Sequence, residues 1–321
     1  MTDFTALPDL ASRALGGSVV YANDELFAAR ENLIKPERAV FDPHEFGHKG
    51  KVYDGWETRR RRTPGSDHAI VRLGTPGVVR GVVVDTAWFT GNYPPSVSIE
   101  GASLGGYPSV DELSEAEWVT LVPQSKINGD CENPFPVEDS PRVTHVRLTI
   151  YPDGGVARLR VHGEVVVDPI LLTGTIDLAA LENGGDVVAC SDMFYSSARN
   201  LLMPGRARHM GEGWENARRR DDGHDFVTVH LAGAGVIRRI VVDTSYFVGN
   251  APGWVSLTGA NGDLFDDPDG CVDLLARTRI QPDTRHVFES SSTEPVTHVR
   301  LDVFPDGGLA RLRVLGELTE G

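Results

Sequence analysis

Cysteine is scarce: Cys131, Cys190 and Cys271 are three in 321 residues, far apart and odd in number. That excludes a disulfide framework and predicts a reducing, cytoplasmic setting. No C-x-x-C zinc pattern occurs, and no apolar run reaches the roughly 18 residues that a membrane-spanning helix needs. The start, Met1-Thr2-Asp3-Phe4, lacks a basic residue ahead of an apolar stretch, which predicts no signal peptide. Basic residues are outnumbered, with 31 Lys and Arg against 46 Asp and Glu and a formal charge of −15. A chain this acidic repels phosphate backbones, which excludes nucleic acid as its main partner. A G-x-S-x-G elbow, a P-loop and a strand-linked G-x-G-x-x-G are all missing. Apolar residues still make up 40%, too many for a disordered chain.

What is abundant is glycine, 35 residues, and proline, 20, set between short Val- and Ile-rich runs. Val82 to Val84, Val97 with Ile99, and Val143 to Ile150 read as strands, and close spacing of strands and turns predicts an all-β sandwich or barrel. In the last run Val146, Leu148 and Ile150 share one face, while His145, Arg147 and Thr149 share the other. Pro152-Asp153-Gly154-Gly155 reads as a turn leading back through Val156 to Val161, a closing hairpin. Helical periodicity is confined to Asp9 to Leu15 and Asn23 to Leu33.

The chain repeats itself. VTHVRLTIYPDGGVARLRVHGE at 143–164 recurs at 296–317 with 17 of 22 positions identical. GVVRGVVVDTAWFTGNYPPSVSIEGA at 77–102 recurs at 235–260 with 15 of 26 identical. Two further blocks, beginning at Gly16 and Asp54, recur at Gly184 and Glu212 in the same order. The offset falls from 168 to 158 to 153, which places insertions in the first copy near 37–53 and 103–142. A period this long means a duplicated domain, with expected boundaries of 1–170 and 171–321.

Several groups carry candidate chemistry. Arg59 to Arg62 are contiguous after Asp54-Gly55-Trp56-Glu57-Thr58, and Arg218 to Arg220 repeat the run. Guanidinium forks match carboxylates, so a small anionic substrate fits this run, against the plainer reading of a solvated loop. In an extended segment Arg60 and Arg62 point one way and Arg59 and Arg61 the other. One pair can then meet internal carboxylates while the other meets substrate. Asp85, at a strand end, and Asn92, in the following Phe-x-Gly-Asn loop, put polar groups at the sheet rim; a loop-holding Asx turn is the plainer alternative. Arg158 and Arg160 share a strand face and would bind an anion if they faced a concave surface. His44-Glu45-Phe46-Gly47-His48 matches H-E-x-x-H, but Pro43 and Gly47 argue against the helix that motif requires. His68, absent from the second copy where Phe226 stands, and the change of Glu57-Thr58 to Glu215-Asn216 make the first copy the more complete site.

Certain stretches together resemble the allantoicase family, over nearly the whole chain. They are Glu31 to Pro36, Gly50 to Arg60, Asp85-Thr86 with Phe89 to Asn92, and Tyr151 to Gly155 with Arg158 to Arg160. The Asp-Gly-Trp-Glu-Thr-Arg-Arg stretch is the specific part. The resemblance implies two tandem galactose-binding-like jelly-roll β-sandwiches. It also implies hydrolysis of allantoate to ureidoglycolate and urea in purine breakdown. For that chemistry the sequence offers Glu57 and His68 as acid and base and Arg60 and Arg61 as a carboxylate clamp. Asp85 and Asn92 are its ureido binders, and Arg158 and Arg160 are further anion-binding candidates. A divalent metal could polarise the ureido carbonyl instead, and no ligand cluster in the sequence decides that. The partners expected are a small-molecule substrate and further copies of the chain in a homo-oligomer. The rival reading is a non-catalytic tandem jelly roll that binds carbohydrate or another small ligand.

Overall fold

Two long strands, Asp67–Asp85 and Asp225–Asp243, each of 19 residues, organise the protein. The computed structural model describes residues 3–262 and 270–319, and the chain divides into units of residues 1–166 and 167–321. In the first unit the early half of the long strand pairs with Ser18–Ala22 and Arg142–Tyr151. Its later half pairs with Glu132–Pro136 and Arg158–Val165. The register breaks between Arg72 and Gly77, where Gly74-Thr75-Pro76-Gly77 interrupts the ladder. One strand thereby serves both layers of an antiparallel sandwich. Ser96–Ala102 and Val119–Lys126 extend the first layer. The second unit repeats the plan, with Val296–Phe304 on the early half and Arg311–Leu318 on the later half of its long strand.

The core lies between the layers. Val146, Leu148 and Ile150 face it from one side, Leu159 and Val161 from the other, and all are fully buried. Val82 to Val84 and their counterparts Ile240 to Val242 are buried on both faces, as continuous apolar runs demand. Each such side chain contributes about 1.5–3 kcal/mol through burial. The fold class is therefore the all-β tandem sandwich that the patterning predicts.

Two expectations need correction. Arg142–Tyr151 and Arg158–Val165 do not form a hairpin; each pairs with a different half of the long strand. The turn between them is captured by other segments: Gly155 N–H donates to Asn92 O at 2.7 Å, and Gly155–Val156 pairs with Trp56–Glu57. The returning chain is thus handed to the opposite layer. The stretches Asp9 to Leu15 and Asn23 to Leu33 hold only the 3-10 turns Arg13–Leu15 and Arg30–Ile34. Asp9 and Ser12 accept the N–H groups of Ala11 and Ala14, which closes local turns in place of a continued helix. Their apolar residues, among them Leu10, Leu33 and Ile34, pack on the sandwich. The α-helix among the described residues is Val110–Glu115, with a Ser109/Glu112 capping box, inside the 103–142 insertion.

The repeated Asp-Gly-Gly turn has a steric reason. A Cβ on Gly155 would lie 1.9 Å from the Phe89 ring, and one on Gly308 would lie 1.9 Å from Phe247. The buried aromatic seats itself on bare backbone in both units. Gly155→Ala should therefore lower stability by about 1–3 kcal/mol through overpacking. A chemical-denaturation midpoint equal to the parent's would show that the ring is free to move aside.

Candidate active site

The Asp54-to-Arg62 segment is pinned before it becomes polar. Trp56 is fully buried, and its indole N–H donates to Asp24 O at 2.7 Å. Glu57 is bracketed by backbone pairing with Ala28 on one side and Gly155 on the other. Thr58 is buried, and its hydroxyl accepts Gly154 N–H at 3.2 Å. Beyond Thr58 the chain leaves the short strand, and Arg59 to Thr63 all line one cleft.

Ion pairing sorts the four arginines. Arg59 Nε lies 2.5 Å from Asp24 Oδ2. Arg61 Nε lies 3.1 Å from Oδ1 of the buried Asp67, and its backbone N–H donates to Asp153 Oδ2 at 2.7 Å. Arg60 and Arg62 are exposed and meet no carboxylate among the described residues. All four border a cleft of about 400 Å³ completed by Asn23, Asp24, Thr63 and Asp67. Four guanidinium groups face two carboxylates there. At the corresponding positions of the second unit Ala217 replaces Arg59 and Asp221 replaces Thr63. Arg219 there binds both Asp221 and Asp225. Arg218 and Arg220 are exposed like Arg60 and Arg62, but with Arg219 they make three arginines beside Asp192, Asp221 and Asp225 in the repeat pattern, a less positive balance than in the first unit.

Glu57 is half-buried, and its Oε1 accepts Asn92 Nδ2–H at 2.7 Å. Burial pushes its carboxyl above the usual carboxylate range, with the Asn92 hydrogen bond pulling the other way. Glu215 and Asn250 form the same pair in the second unit. Asp85 is also pushed up, chiefly by burial. Its Oδ1 accepts Ala87 N–H at 2.8 Å, the Asx turn that holds the loop running to Asn92.

Glu57, Asp85 and Asn92 are not among the residues that line the cleft, and neither are His68, Arg158 and Arg160. His68 is on the sheet face opposite Asp67, its ring centroid 5.5 Å from that of Tyr21. Burial, then the positive field of Arg147, pushes its imidazole below the usual value and keeps it neutral at pH 7. Arg158 is fully buried, and its guanidinium binds Glu37 O, Asp54 O, Ala157 O and Asp54 Oδ2. Arg160 reaches Asp9 at 3.4 Å and the carbonyls of Pro36 and Glu37. Both arginines are committed to the protein's own chain. His44 and His48 flank the two-residue strand Phe46–Gly47, not a helix. Among the described residues no cluster of three or more His, Cys, Asp or Glu is placed to hold a metal ion.

Sequence reasoning missed the carboxylates that do the sorting, Asp24, Asp67 and Asp153. The signal was present, because Asp192, Asp225 and Asp306 stand at the corresponding places of the second copy.

Comparison with known proteins adds a direct result. The allantoicase repeat pattern matches residues 8–166 and again 176–319. A probable allantoicase of Nocardia farcinica is 57% identical, covering 98% of this chain and 95% of the relative. An allantoicase of Dictyostelium discoideum is 42% identical over 95% of this chain and 86% of its own length. The crystal structure of the Saccharomyces cerevisiae allantoicase superposes with a TM-score of 0.80 at 35% identity, covering 97% of this chain and 93% of that one.

Two neighbouring arginines should respond oppositely to substitution. Arg61→Met leaves the Asp67 carboxylate buried without its partner and should cost about 3 kcal/mol. Arg60→Met, at an exposed and unpaired position, should stay within about 0.5 kcal/mol of the parent. Equal denaturation midpoints for the two variants would refute the sorting.

Proposed function

The chain belongs to the allantoicase family, and from that premise we propose how its first unit carries the reaction. The enzyme hydrolyses allantoate, releasing urea and ureidoglycolate in purine degradation. Allantoate is a carboxylate whose central carbon bears two ureido groups. One C–N bond breaks, its nitrogen takes a proton, and water supplies the hydroxyl that replaces it. The observation that carries the proposal is the cleft in which four guanidinium groups face two carboxylates, leaving Arg60 and Arg62 unpaired.

Arg60, with the likewise unpaired Arg62 on the same cleft, grips the substrate carboxylate. Arg59 and Arg61 are spent on Asp24 and Asp67 and hold the segment in shape. Glu57 gives the departing ureido nitrogen its proton. Burial favours its protonated form, and Asn92 fixes the orientation of its carboxyl. Asp85 positions the loop that brings Asn92 to Glu57. His68 is given no step, because its side chain lies on the other face of the strand from the cleft-lining Asp67, and no step is routed through a metal. A cytoplasmic location follows from the sparse cysteines. A homo-oligomer is proposed on the exposed run Met193, Phe194 and Tyr195, and light scattering at the monomer mass would overturn it. No described helix is long and apolar enough to cross a membrane.

Urea release from allantoate tests the assignment. Glu57→Gln should lower kcat by ~10²–10⁴-fold, and Glu215→Gln far less. If the acid is Glu57, the rate falls as pH rises through its raised pKa, and that alkaline limb should vanish in Glu57→Gln. Equal losses in the two variants would remove the basis for placing the chemistry in the first unit. Arg60→Lys keeps the charge and loses the bidentate fork, so it should act chiefly through KM. Its effect should shrink on an analogue whose carboxylate is a neutral amide. An unchanged kcat/KM on allantoate would send the clamp elsewhere.

A further inference from the structure

Each unit holds a bulky aromatic in a backbone conformation that suits glycine. Trp88 has φ of 71° and Tyr246 has φ of 72°, a region that costs a side chain of this size dearly. Both are held there in the same way. Trp88 N–H donates to Asp130 Oδ1 at 2.7 Å, and Tyr246 N–H donates to Asp283 Oδ1 at 2.8 Å. Both rings stand 46% exposed. Core packing therefore does not explain why a strained position carries an aromatic.

In the first unit the ring is also buttressed by the 37–53 insertion. Its indole N–H donates to Ala39 O at 3.0 Å, and Phe41 stacks on it with centroids 5.8 Å apart. Phe41 stacks in turn on Tyr53 at 5.1 Å, and Tyr53 on the buried Phe89 at 4.9 Å. This column runs from the core to the surface and depends on the 37–53 insertion, which supplies Phe41 and Tyr53. Trp88 is its outermost plate. Four residues further along the same loop, Asn92 binds Glu57.

We propose that Trp88 is a substrate-binding residue, the plate on which a planar ureido group of allantoate stacks. The inference rests on the reading of the first unit as the active one. A ureido group is flat and has a polar edge and two weakly solvated faces, so a buttressed indole binds it at little entropic cost. Arg60 holds the carboxylate end, and the plate selects the ureido end.

Steady-state urea release with Trp88→Ala, Trp88→Phe and Arg60→Lys tests the pairing of ends. Trp88→Ala should raise KM for allantoate by roughly tenfold, with Trp88→Phe recovering much of the loss. Glycolate, a hydroxycarboxylate without a ureido group, should inhibit the parent and Trp88→Ala equally, and Arg60→Lys less. In a Glu57→Gln background allantoate should quench tryptophan fluorescence, and Trp88→Phe should abolish the quench; this arm stands even where Trp88→Ala fails to fold. Parental KM in Trp88→Ala and Trp88→Phe alongside an impaired Arg60→Lys would overturn the plate and leave the clamp standing. A parental Arg60→Lys would instead overturn the assignment of the clamp itself.

Discussion

A buried guanidinium is the anchor of the first unit. Arg158 lies inside the protein with four hydrogen bonds, to Glu37 O at 2.9 Å, Asp54 O at 2.8 Å, Ala157 O at 2.7 Å and Asp54 Oδ2 at 2.6 Å. Desolvating such a cation is costly, and only this full set of acceptors offsets it. The arrangement ties Glu37 and Asp54, at the two ends of the 37–53 insertion, to the second layer of the sandwich. From Asp54 the chain runs directly into Trp56, Glu57 and the arginine run, so the cleft inherits its position from this one cation. Asp54 answers in kind: burial works against its charge, yet hydrogen bonds from Arg158 and Lys35 hold its carboxyl below the usual range. A lysine, with a point charge and no planar fork, could not bridge the same carbonyls.

The second unit keeps the anchor and loses what hangs from it. Arg311 binds Gly205 O, Glu212 O and Ala310 O in the same manner, and burial pulls its guanidinium down to about 10. With the insertion missing, no aromatic column forms over Phe247 among the described residues. With Ala217 for Arg59 and Asp221 for Thr63, the excess positive charge is gone. A duplicated frame thus carries two different surfaces. The Glu–Asn pair and the strained backbone at Trp88 and Tyr246 recur because the Asx turn and the loop behind it recur. The charge balance differs because it lies on exposed side chains, which the frame does not constrain.

How far the sequence alone reached has a physical boundary. Alternation and continuous apolar runs determined the strands, because burial acts on side chains in the order they occur. The duplication determined that one sandwich is built twice. The period of two already divided the arginine run into an inward and an outward pair. Which residues are merely structural was less legible. Arg158 and Arg160 read as anion binders because a guanidinium looks the same in sequence whether it faces solvent or three carbonyls.

The rest was settled by contacts between segments far apart in the chain. Asp67 and Asp24 select Arg61 and Arg59 for internal pairing and thereby leave Arg60 and Arg62 without a carboxylate partner among the described residues. The pairing of Gly155–Val156 with Trp56–Glu57 turns an apparent hairpin into a crossover between layers. His68 is separated from the cleft by a single residue step, since neighbours on a strand face opposite ways. Local preference sets what each segment can be; which face, which partner and which charge remains unpaired depend on desolvation and geometry, and those exist only once the layers have closed.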